Sequence, residues 1–454
     1  MPVNNYERSP LSWMPRREQI SYPQYLSLAA ALERDIVSGL LPVGTRLPPQ
    51  RALADYLDLN FTTVTRAYEL CREKGLIYGE VGRGTYVSPR SQCGVTDKDV
   101  IELGVVLGFP DVNQQLVEAA RNVLNNRYCK DLFSYRERVG MEHHRAAGVH
   151  WMNKRGIITD IDHTMIFAGA QNAIATTLLA LFHTGDILLA DAFTYANMIA
   201  AAKLAHVRVI PVQGDEQGML PESMDAVCKK YRVTGIFLMP DCANPTTITI
   251  SERRRDQIAE ICRENHLIVI EDDDSLFQKN HQTFYHRLPE QTIYISATTR
   301  HIAPGLRTTF VSYPERYRRA LMEGLFTTSI KASALDAEIL SHIITTEKAE
   351  EILKEKSALA LKANHIYHSI FPDDPVPENQ YAFFRVHELP KNDNGPALEQ
   401  TLLSHGLRVC HSYRFAVDKK APRAFLRISL SSARDLSQLE EGLYRLKENL
   451  SVHL

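Results

Sequence analysis

Cysteine is scarce in this sequence, and no two cysteines stand in a C-x-x-C pair. The 454 residues contain only seven of them, an odd and scattered set. That pattern argues against a disulfide framework and against a cysteine zinc site, and it is typical of a reducing compartment. Long apolar runs are also lacking, as is the apolar core of a signal peptide in residues 1–15. We therefore expect a cytoplasmic protein without a membrane-spanning segment.

A strong excess of charge is missing as well. The net charge of -2 at pH 7 gives no hint of a polyanionic partner. Apolar residues make up 44% of the chain and charged residues 23%, which is ordinary for a folded protein. We find no internal repeat and no low-complexity tract. The length allows two or three domains.

The pattern along the chain changes near residue 100. Residues 89–100 carry Pro, Gly and Ser without periodicity, which is typical of a short linker. Residues 20–88 before it show short helical patterns and a hairpin signal. Residues 101–454 after it alternate strands and helices through about residue 310. This alternation predicts a mostly parallel α/β sheet with helices on both faces.

The first domain begins with a helical pattern that starts at Pro23 and ends near Gly39. Two shorter helical patterns follow, the second with Asn60 or Thr62 as its N-cap, and then two short β patterns joined through Gly82–Gly84. The residues expected to face inward are Tyr25, Leu28, Leu32, Ile36, Leu53, Ala54, Leu57, Val64, Ala67, Tyr68 and Cys71. This order of elements is that of a winged helix–turn–helix, whose later helix enters the major groove of DNA.

Five side chains of this domain are candidates for DNA contact. Thr62, Thr63 and Arg66 fall at the start of the reading helix, where hydroxyl and guanidinium groups reach phosphates or base edges. Arg51 opens the preceding helix near a phosphate, and Arg83 at the hairpin tip approaches the backbone or minor groove. The net charge does not distinguish a DNA-binding domain from a small helical domain whose charged side chains are only solvated. The prediction of DNA binding therefore depends on the order of the elements and the spacing of the residues.

The same stretch resembles the DNA-binding domain of the GntR family. The matching segments are Leu40–Pro48, Arg51–Ala54, Thr63–Tyr68, Gly75–Ile77 and Gly82–Val87. Ala52 is a minor departure, because the family often has an acidic residue there. The resemblance implies a bacterial regulator that binds a double-stranded DNA operator.

In the second domain, several predicted strands end in polar loops. The loops begin after Ala168, Ala190, Met239, Ile270 and Ile295. Ligands of α/β proteins bind at such carboxyl ends of strands, and a helix that follows a glycine can hold a phosphate with its free amides. An acidic run, Asp272–Asp274, suggests a metal at first sight. No EF-hand pattern follows it, so we expect no metal site.

The whole order of the second domain resembles fold-type I aminotransferases, which depend on pyridoxal phosphate (PLP). Behind a GntR-type head, this combination is that of the MocR family, and the sequence also looks like the PtsJ-type regulators of vitamin B6 salvage. The implied fold class is a winged helix–turn–helix joined to an α/β fold-type I aminotransferase-like domain. The implied ligand contacts are Ala170, Gln171 and Arg307 at the phosphate, Tyr195 over the ring, Asn244 at the ring hydroxyl, Asp272 (with Asp273 as the reserve) at the pyridine nitrogen, and Arg427 at a substrate carboxylate.

One position departs from the family pattern in a way that bears on catalysis. The family motif places a Schiff-base lysine before Pro-Gly-Leu-Arg, and here Arg300 stands in that register ahead of Pro304–Arg307. Arginine stays protonated and is a poor nucleophile, so it does not replace the lysine amine. The resemblance then implies non-covalent PLP binding and no transamination, and hence no catalytic residue.

Two further departures lie close by. Asp274 stands where the family usually has a tyrosine facing the cofactor. Ala297 stands where it commonly has a serine or threonine for the phosphate. Ser296, Thr299 and Arg300 are the neighbouring candidates for contact with the ligand.

Three functional hypotheses follow. The first is a homodimeric, head-to-tail transcription regulator that senses PLP or a related B6 vitamer. The second is an active aminotransferase that uses Lys279 or Lys331. The third is a ligand-independent DNA-binding protein whose large domain only dimerises.

Overall fold

The computed structural model describes residues 11–37, 40–42, 44–74, 76–80, 84–88, 100–126, 128–135, 137–273, 282–296, 301–390, 394–418 and 423–453. The chain forms two compact units, residues 1–100 and 101–454. Most of the predicted linker, residues 89–99, lies outside the described ranges. Within those ranges, no helix combines the length and the apolar composition that crossing a membrane requires.

The first unit contains three helices and a hairpin, in the predicted order. These elements are α1 (Gln24–Val37), α2 (Gln50–Leu57), α3 (Phe61–Glu73), β1 (Ile77–Glu80) and β2 (Gly84–Val87). All the predicted inward positions are buried except Tyr25, which packs at the edge of the core. The N-cap of α3 is Asn60, whose side-chain oxygen accepts a hydrogen bond from the Thr62 amide at 3.0 Å.

The second unit combines twelve α-helices and fourteen strands in the part of the chain that the structure describes. The helices are α4 (Gln114–Leu124), α5 (Glu142–Asn153), α6 (Ala170–Leu181), α7 (Ala196–Leu204), α8 (Pro221–Lys230), α9 (Glu252–Glu264), α10 (Phe284–Arg287), α11 (Glu315–Ser329), α12 (Ala334–Thr345), α13 (Lys348–Ile370), α14 (Gly395–Ser404) and α15 (Leu436–His453). The strands are β3 (Ile101–Glu102), β4 (Thr164–Phe167), β5 (Ile187–Asp191), β6 (Arg208–Val212), β7 (Gly214–Asp215), β8 (Gly218–Met219), β9 (Gly235–Leu238), β10 (Ile268–Asp273), β11 (Thr292–Ser296), β12 (Thr309–Ser312), β13 (Phe384–Leu389), β14 (Leu407–Arg408), β15 (Cys410–His411) and β16 (Ala424–Ser429).

The central sheet has seven strands in the order β4-β12-β11-β10-β9-β5-β6. β12 runs antiparallel to both of its neighbours, and the other pairings are parallel. The sheet is therefore mostly parallel, as the alternation of strands and helices predicted. A smaller antiparallel sheet, β13-β16-β15, lies in the C-terminal part of the unit.

Alternate side chains of the central sheet pack against different helices. Ile270, Ile293 and Ile295 lie on the face covered by α6, α7 and α11. Tyr294 and Phe310 lie on the opposite face. We call the face covered by α6, α7 and α11 the α6 face. Because every second residue of a strand faces the same side, this alternation decides which strand residues can share a site with α6.

The prediction that β10 ends at Ile270 was wrong. The strand continues through Glu271, Asp272 and Asp273, which pair with Tyr294, Ile295 and Ser296 of β11. Backbone pairing on a parallel ladder does not depend on side-chain polarity, so three acidic residues do not end the strand here. Glu271 is fully buried and accepts hydrogen bonds from the Phe284 and Tyr285 amides at 2.9 and 2.8 Å.

Candidate functional site

The carboxyl ends of β4, β5, β9 and β10 lie along one edge of the central sheet. The strands are mutually parallel, so the loops that follow them meet at that edge. These loops and the starts of α6 and α7 carry most of the predicted ligand contacts. The site is therefore assembled by topology from residues far apart in the sequence.

The strongest feature of the site is an anion cradle at the start of α6. Gly169 is the N-cap residue, with φ 84° and ψ 164°, a conformation open mainly to glycine. A Cβ added there would lie 2.6 Å from Nη2 of Arg307, so the guanidinium lies directly against this glycine. The amides of Ala170 and Gln171 belong to the first turn, where no intrahelical acceptor exists. Guanidinium and free amides together favour a phosphate.

A chain of hydrogen bonds connects Gln171 to Tyr195. Gln171 Nε2 donates to the Asn197 carbonyl at 3.2 Å, and Asn197 Nδ2 donates to the Tyr195 hydroxyl at 3.2 Å. The other side-chain atom of Gln171, Oε1, is buried and meets no hydrogen-bond donor among the described residues. Tyr195 is half-buried against the core on the α6 face. Two predicted contacts thus lie in one local network.

Asn244 and Arg427 contact each other directly. Arg427 Nη1 donates to Asn244 Oδ1 at 2.8 Å, and Nη2 donates to the Gly104 carbonyl. Both side chains are buried, at 2% and 7% exposure. The Arg427 guanidinium also lies 4.7 Å from the centre of the Phe415 ring. The structure therefore places in one site two residues that are 183 positions apart.

The loop that carries Asn244 is fixed by a fully buried arginine. Arg255 on α9 pairs with Asp241 at 2.5 Å and donates to the carbonyls of Ile250 and Pro240 at 2.8 and 3.0 Å. A buried charge of this kind is strongly destabilising when its partner is removed. Arg255 is thus a positioning residue that sequence reasoning missed.

Strand alternation separates the two aspartates considered for the pyridine nitrogen. Asp273 accepts a hydrogen bond from the Tyr294 hydroxyl, on the face opposite α6. Asp272 pairs with Ile295 in the ladder and follows Ile270 by two positions, which places it on the α6 face with Ala170 and Tyr195. It is 5% exposed. The geometry favours Asp272 over Asp273.

The remaining candidates around the motif are only partly described. Ser296 is buried and pairs with Phe310, so it lies on the face opposite α6 and apart from the cradle. Asp274, Thr299, Arg300 and Lys279 lie outside the described residues. Lys331, the other alternative amine, donates to the Ser134 carbonyl at 2.5 Å.

A buried lysine close to the motif was not predicted. Lys356 on α13 is fully buried, and its Nζ donates to the Ile302 carbonyl at 3.0 Å, two residues after Arg300. Burial lowers the pKa of Lys356 from 10.5 to about 8. Lys356 stands between Glu355 and Ser357 in a charged stretch of α13, which offered no sequence signal of burial. The lysine supports the segment that leads to Arg307.

Replacing Lys356 by methionine tests this burial. The unfolded chain binds the extra proton up to pH 10.5, whereas the folded chain releases it near pH 8. Wild-type stability should therefore rise between these values, relative to the variant, by up to about 3 kcal/mol. Urea unfolding at pH values from about 7 to about 10 measures the difference. Exposed Lys203→Met is the control; parallel curves for wild type and Lys356→Met would show that Lys356 is not a buried cation.

The predicted DNA contacts of the first unit are exposed or half-buried where they are described. Arg51 and Thr62 are exposed, and Thr63 is half-buried in the first turn of α3. Arg66 is exposed, with its guanidinium 4.4 Å from the centre of the Tyr25 ring. Arg83 lies outside the described residues. Thr62 and Thr63 thus lie in the first turn of α3, and Arg66 lies one turn later; their contact with DNA stays a prediction.

Comparison with known proteins gives two family matches. Residues 98–446 match the aminotransferase class I and II family, and residues 24–87 match the gntR family of bacterial regulatory proteins. Among solved structures, an archaeal alanine:glyoxylate aminotransferase aligns with a TM-score of 0.71 at 17% identity, over 78% of this chain and 91% of that one. LysN, an α-aminoadipate aminotransferase from Thermus thermophilus, aligns with a TM-score of 0.70 at 20% identity, over 78% of this chain and 93% of its own. The second unit therefore has the aminotransferase fold.

Two relatives align with this chain over most of their own length. The HTH-type transcriptional regulator YdeF of Bacillus subtilis is 32% identical over 99% of each chain. The HTH-type transcriptional regulator NorG of Staphylococcus aureus is 24% identical over 76% of this chain and 87% of its own. With a GntR-type DNA-binding unit ahead of an aminotransferase fold, the chain belongs to the MocR-type branch of the GntR family of transcriptional regulators.

Proposed function

We propose that this regulator binds PLP, or a related B6 vitamer, non-covalently in its second unit, and that the bound ligand changes the affinity of the first unit for DNA. The observation that carries the proposal is the cradle of Gly169 and Arg307 at the start of α6. It persists although Arg300 stands in the register of the family's lysine. A retained phosphate site without the reactive amine fits a sensor better than an enzyme.

The donor set of the site fits a phosphorylated pyridine. Arg307 and the first amides of α6 would hold the phosphate, and Asp272 would face the pyridine nitrogen. Asn244 would meet the ring hydroxyl, and Tyr195 would lie over the ring. The solved LysN structure holds N-(5'-phosphopyridoxyl)-L-leucine, and a similar kynurenine aminotransferase of Pyrococcus horikoshii holds PMP. These ligands support the choice of a pyridoxyl phosphate for this fold.

Loss of catalysis is part of the proposal. When PLP is bound covalently to an amine, it stabilises carbanions and so supports amino-group transfer. Arg300 does not supply that amine, because its guanidinium stays protonated. Lys331 donates to a backbone carbonyl instead. The chain's remaining contacts bind and orient a ligand without moving an amino group.

Regulation requires that the ligand discriminate between two arrangements of the protein. We propose a head-to-tail homodimer, built by residues 101–454, that presents two DNA-binding domains (residues 20–88) to two half-sites. In each chain, the segment 89–100 would connect the DNA-binding domain to residues 101–454. A dimer that binds DNA equally well with and without PLP would instead be the ligand-independent regulator.

The test is titration of the purified full-length protein with PLP, followed by borohydride reduction and intact-mass analysis. We expect saturable binding, followed by absorbance, and no added mass. DNA affinity is then compared with and without PLP on duplexes selected by the protein from a random library. A reduced adduct in the wild-type protein would contradict the proposal, and turnover of an amino donor would establish an enzyme. Saturable binding with unchanged DNA affinity would leave the large unit without a sensing role.

Replacing Arg66 by alanine tests whether α3 contacts DNA. A base-edge contact contributes about 1–3 kcal/mol, so affinity for the selected duplex should fall about five- to a hundredfold. If Arg66 contacts a phosphate instead, affinity for all sequences should fall alike and the salt dependence should weaken. Fluorescence anisotropy at several salt concentrations separates these cases. Arg34→Ala, at a side chain on α1 that is 60% exposed, is the matched control; equal losses in both variants would rule out a specific role.

A further inference from the structure

Two histidines and a glutamate form a cluster that shares no residue with the PLP site. His143 and His144 stand in the first turn of α5, and Glu338 stands in the first half of α12. The two helices pack against each other, which brings together residues about 195 positions apart. The cluster plays no part in the function proposed above.

The geometry of the cluster is convergent. Nε2 of His143 and Nε2 of His144 each lie 2.6 Å from the same carboxylate oxygen, Oε2 of Glu338. The three ligand atoms all lie within 4.8 Å of one another. The His144 side chain is 1% exposed, whereas that of His143 is 58% exposed. One ring is thus fixed in the core and the other is reachable from solvent.

A pocket of about 370 Å³ opens beside the cluster. His143 and Glu338 line it, together with Cys129, Asp131 and Glu137. The cluster therefore has access to solvent on one side, and further side chains of ligand type surround that access. A fourth coordinating group, a water molecule or one of these side chains, would enter from this direction.

We propose that His143, His144 and Glu338 bind a divalent transition-metal ion of the Zn²⁺ type. Two imidazoles and one carboxylate are a donor set used by zinc, and they suit borderline metals better than Mg²⁺ or Ca²⁺, which prefer oxygen ligands. Donor atoms around tetrahedral zinc are about 3.3 Å apart, so the two 2.6 Å separations need to widen by less than about 1 Å. The exposed His143 ring and the partly exposed Glu338 side chain, at 58% and 24% exposure, allow both movements.

The plainer interpretation is a glutamate that simply accepts two hydrogen bonds. It accounts for the pKa of Glu338, which is lowered to about 2, chiefly by the hydrogen bond with His144. The buried His144 Nδ1, which meets no partner in the described part of the chain, does not distinguish the two interpretations, because the hydrogen bond and the proposed metal both use Nε2.

The experiment uses full-length protein freed of metal with a chelator and titrated with ZnSO₄ by calorimetry. We expect one ion per chain, with affinity lowered at least about tenfold in His143→Ala and in Glu338→Gln. Both replaced side chains are partly exposed, so folding should survive. His150→Ala, an exposed histidine on the same helix, is the matched control and should bind as wild type does. Titration with CoCl₂ adds a visible spectrum that reports tetrahedral coordination.

Either of two results would overturn the proposal. One is the absence of saturable Zn²⁺ or Co²⁺ binding in the wild-type protein. The other is wild-type affinity in both His143→Ala and Glu338→Gln, which would place the ion elsewhere. Gly169→Ala, which alters the phosphate cradle, should leave metal binding unchanged. The metal site is therefore tested independently of the proposed PLP binding.

Discussion

Replacing Arg300 by lysine is expected to convert the proposed reversible binding of PLP into covalent attachment. The motif around this position is otherwise retained, with Pro304, Gly305, Leu306 and Arg307 in register. A lysine placed there supplies the amine that the family has in this register, because a lysine amine loses its proton far more readily than a guanidinium. After borohydride treatment, intact-mass analysis should show one pyridoxyl phosphate group on the variant and none on the wild type.

The control for this experiment is a conservative change on the surface. Arg319→Lys adds a lysine at a side chain that is 88% exposed, and it should give no site-specific adduct at equal PLP concentration. Peptide mapping then shows whether the label is on residue 300. If Arg300→Lys binds PLP but stays unlabelled, our alignment of the motif is wrong, and the proposed absence of catalysis would need another cause.

Gly169→Ala is expected to weaken PLP binding about ten- to a hundredfold. The new methyl group would lie 2.6 Å from Nη2 of Arg307, so the guanidinium must move away from the start of α6. A charged hydrogen bond to phosphate contributes about 1.5–3 kcal/mol, which sets the size of the loss. Equilibrium dialysis or calorimetry with PLP measures it, and inorganic phosphate used as a competitor tests whether the loss is at the phosphate.

A control is needed to distinguish the displacement of Arg307 in Gly169→Ala from the backbone strain that any side chain would cause at a positive φ. Gly156 has nearly the same φ, 83° against 84°, but a Cβ added there would enter open space. Gly156→Ala should therefore lose stability through strain, by roughly 1 kcal/mol, and keep its affinity for PLP. Arg307→Ala should reproduce the weak binding of Gly169→Ala. Unchanged affinity in Gly169→Ala would show that Arg307 does not hold the phosphate.

Local patterns predicted much of the fold. The inward faces of α1, α2 and α3 followed from helical spacing, because burial of apolar side chains largely decides which face of a helix packs. The strands of the second unit followed from short apolar runs with polar ends. The end of β10 did not, since Glu271 is buried by partners on another segment.

The candidate site was predictable only where a family motif marks it. Gly169, Asn244 and Arg307 stand in such motifs, and the structure brings Asn244 to Arg427 and Gly169 to Arg307. The choice between Asp272 and Asp273 required the true strand register. Lys356 and the cluster of His143, His144 and Glu338 carry no local signal, because their significance arises from contacts between distant helices.

Before any ligand binds, Arg427 and Asn244 form a hydrogen bond with each other. In the proposed complex, a carboxylate that bound Arg427 through Nη1 and a ring hydroxyl that donated to Asn244 Oδ1 would each compete with this one bond. A first ligand that displaced the bond would leave the other side chain released for the second ligand. Such sharing would produce positive cooperativity between the two ligands, and linkage requires the effect to be mutual. For a bond of about 1–2 kcal/mol, each ligand would raise the affinity of the other by about five- to thirtyfold.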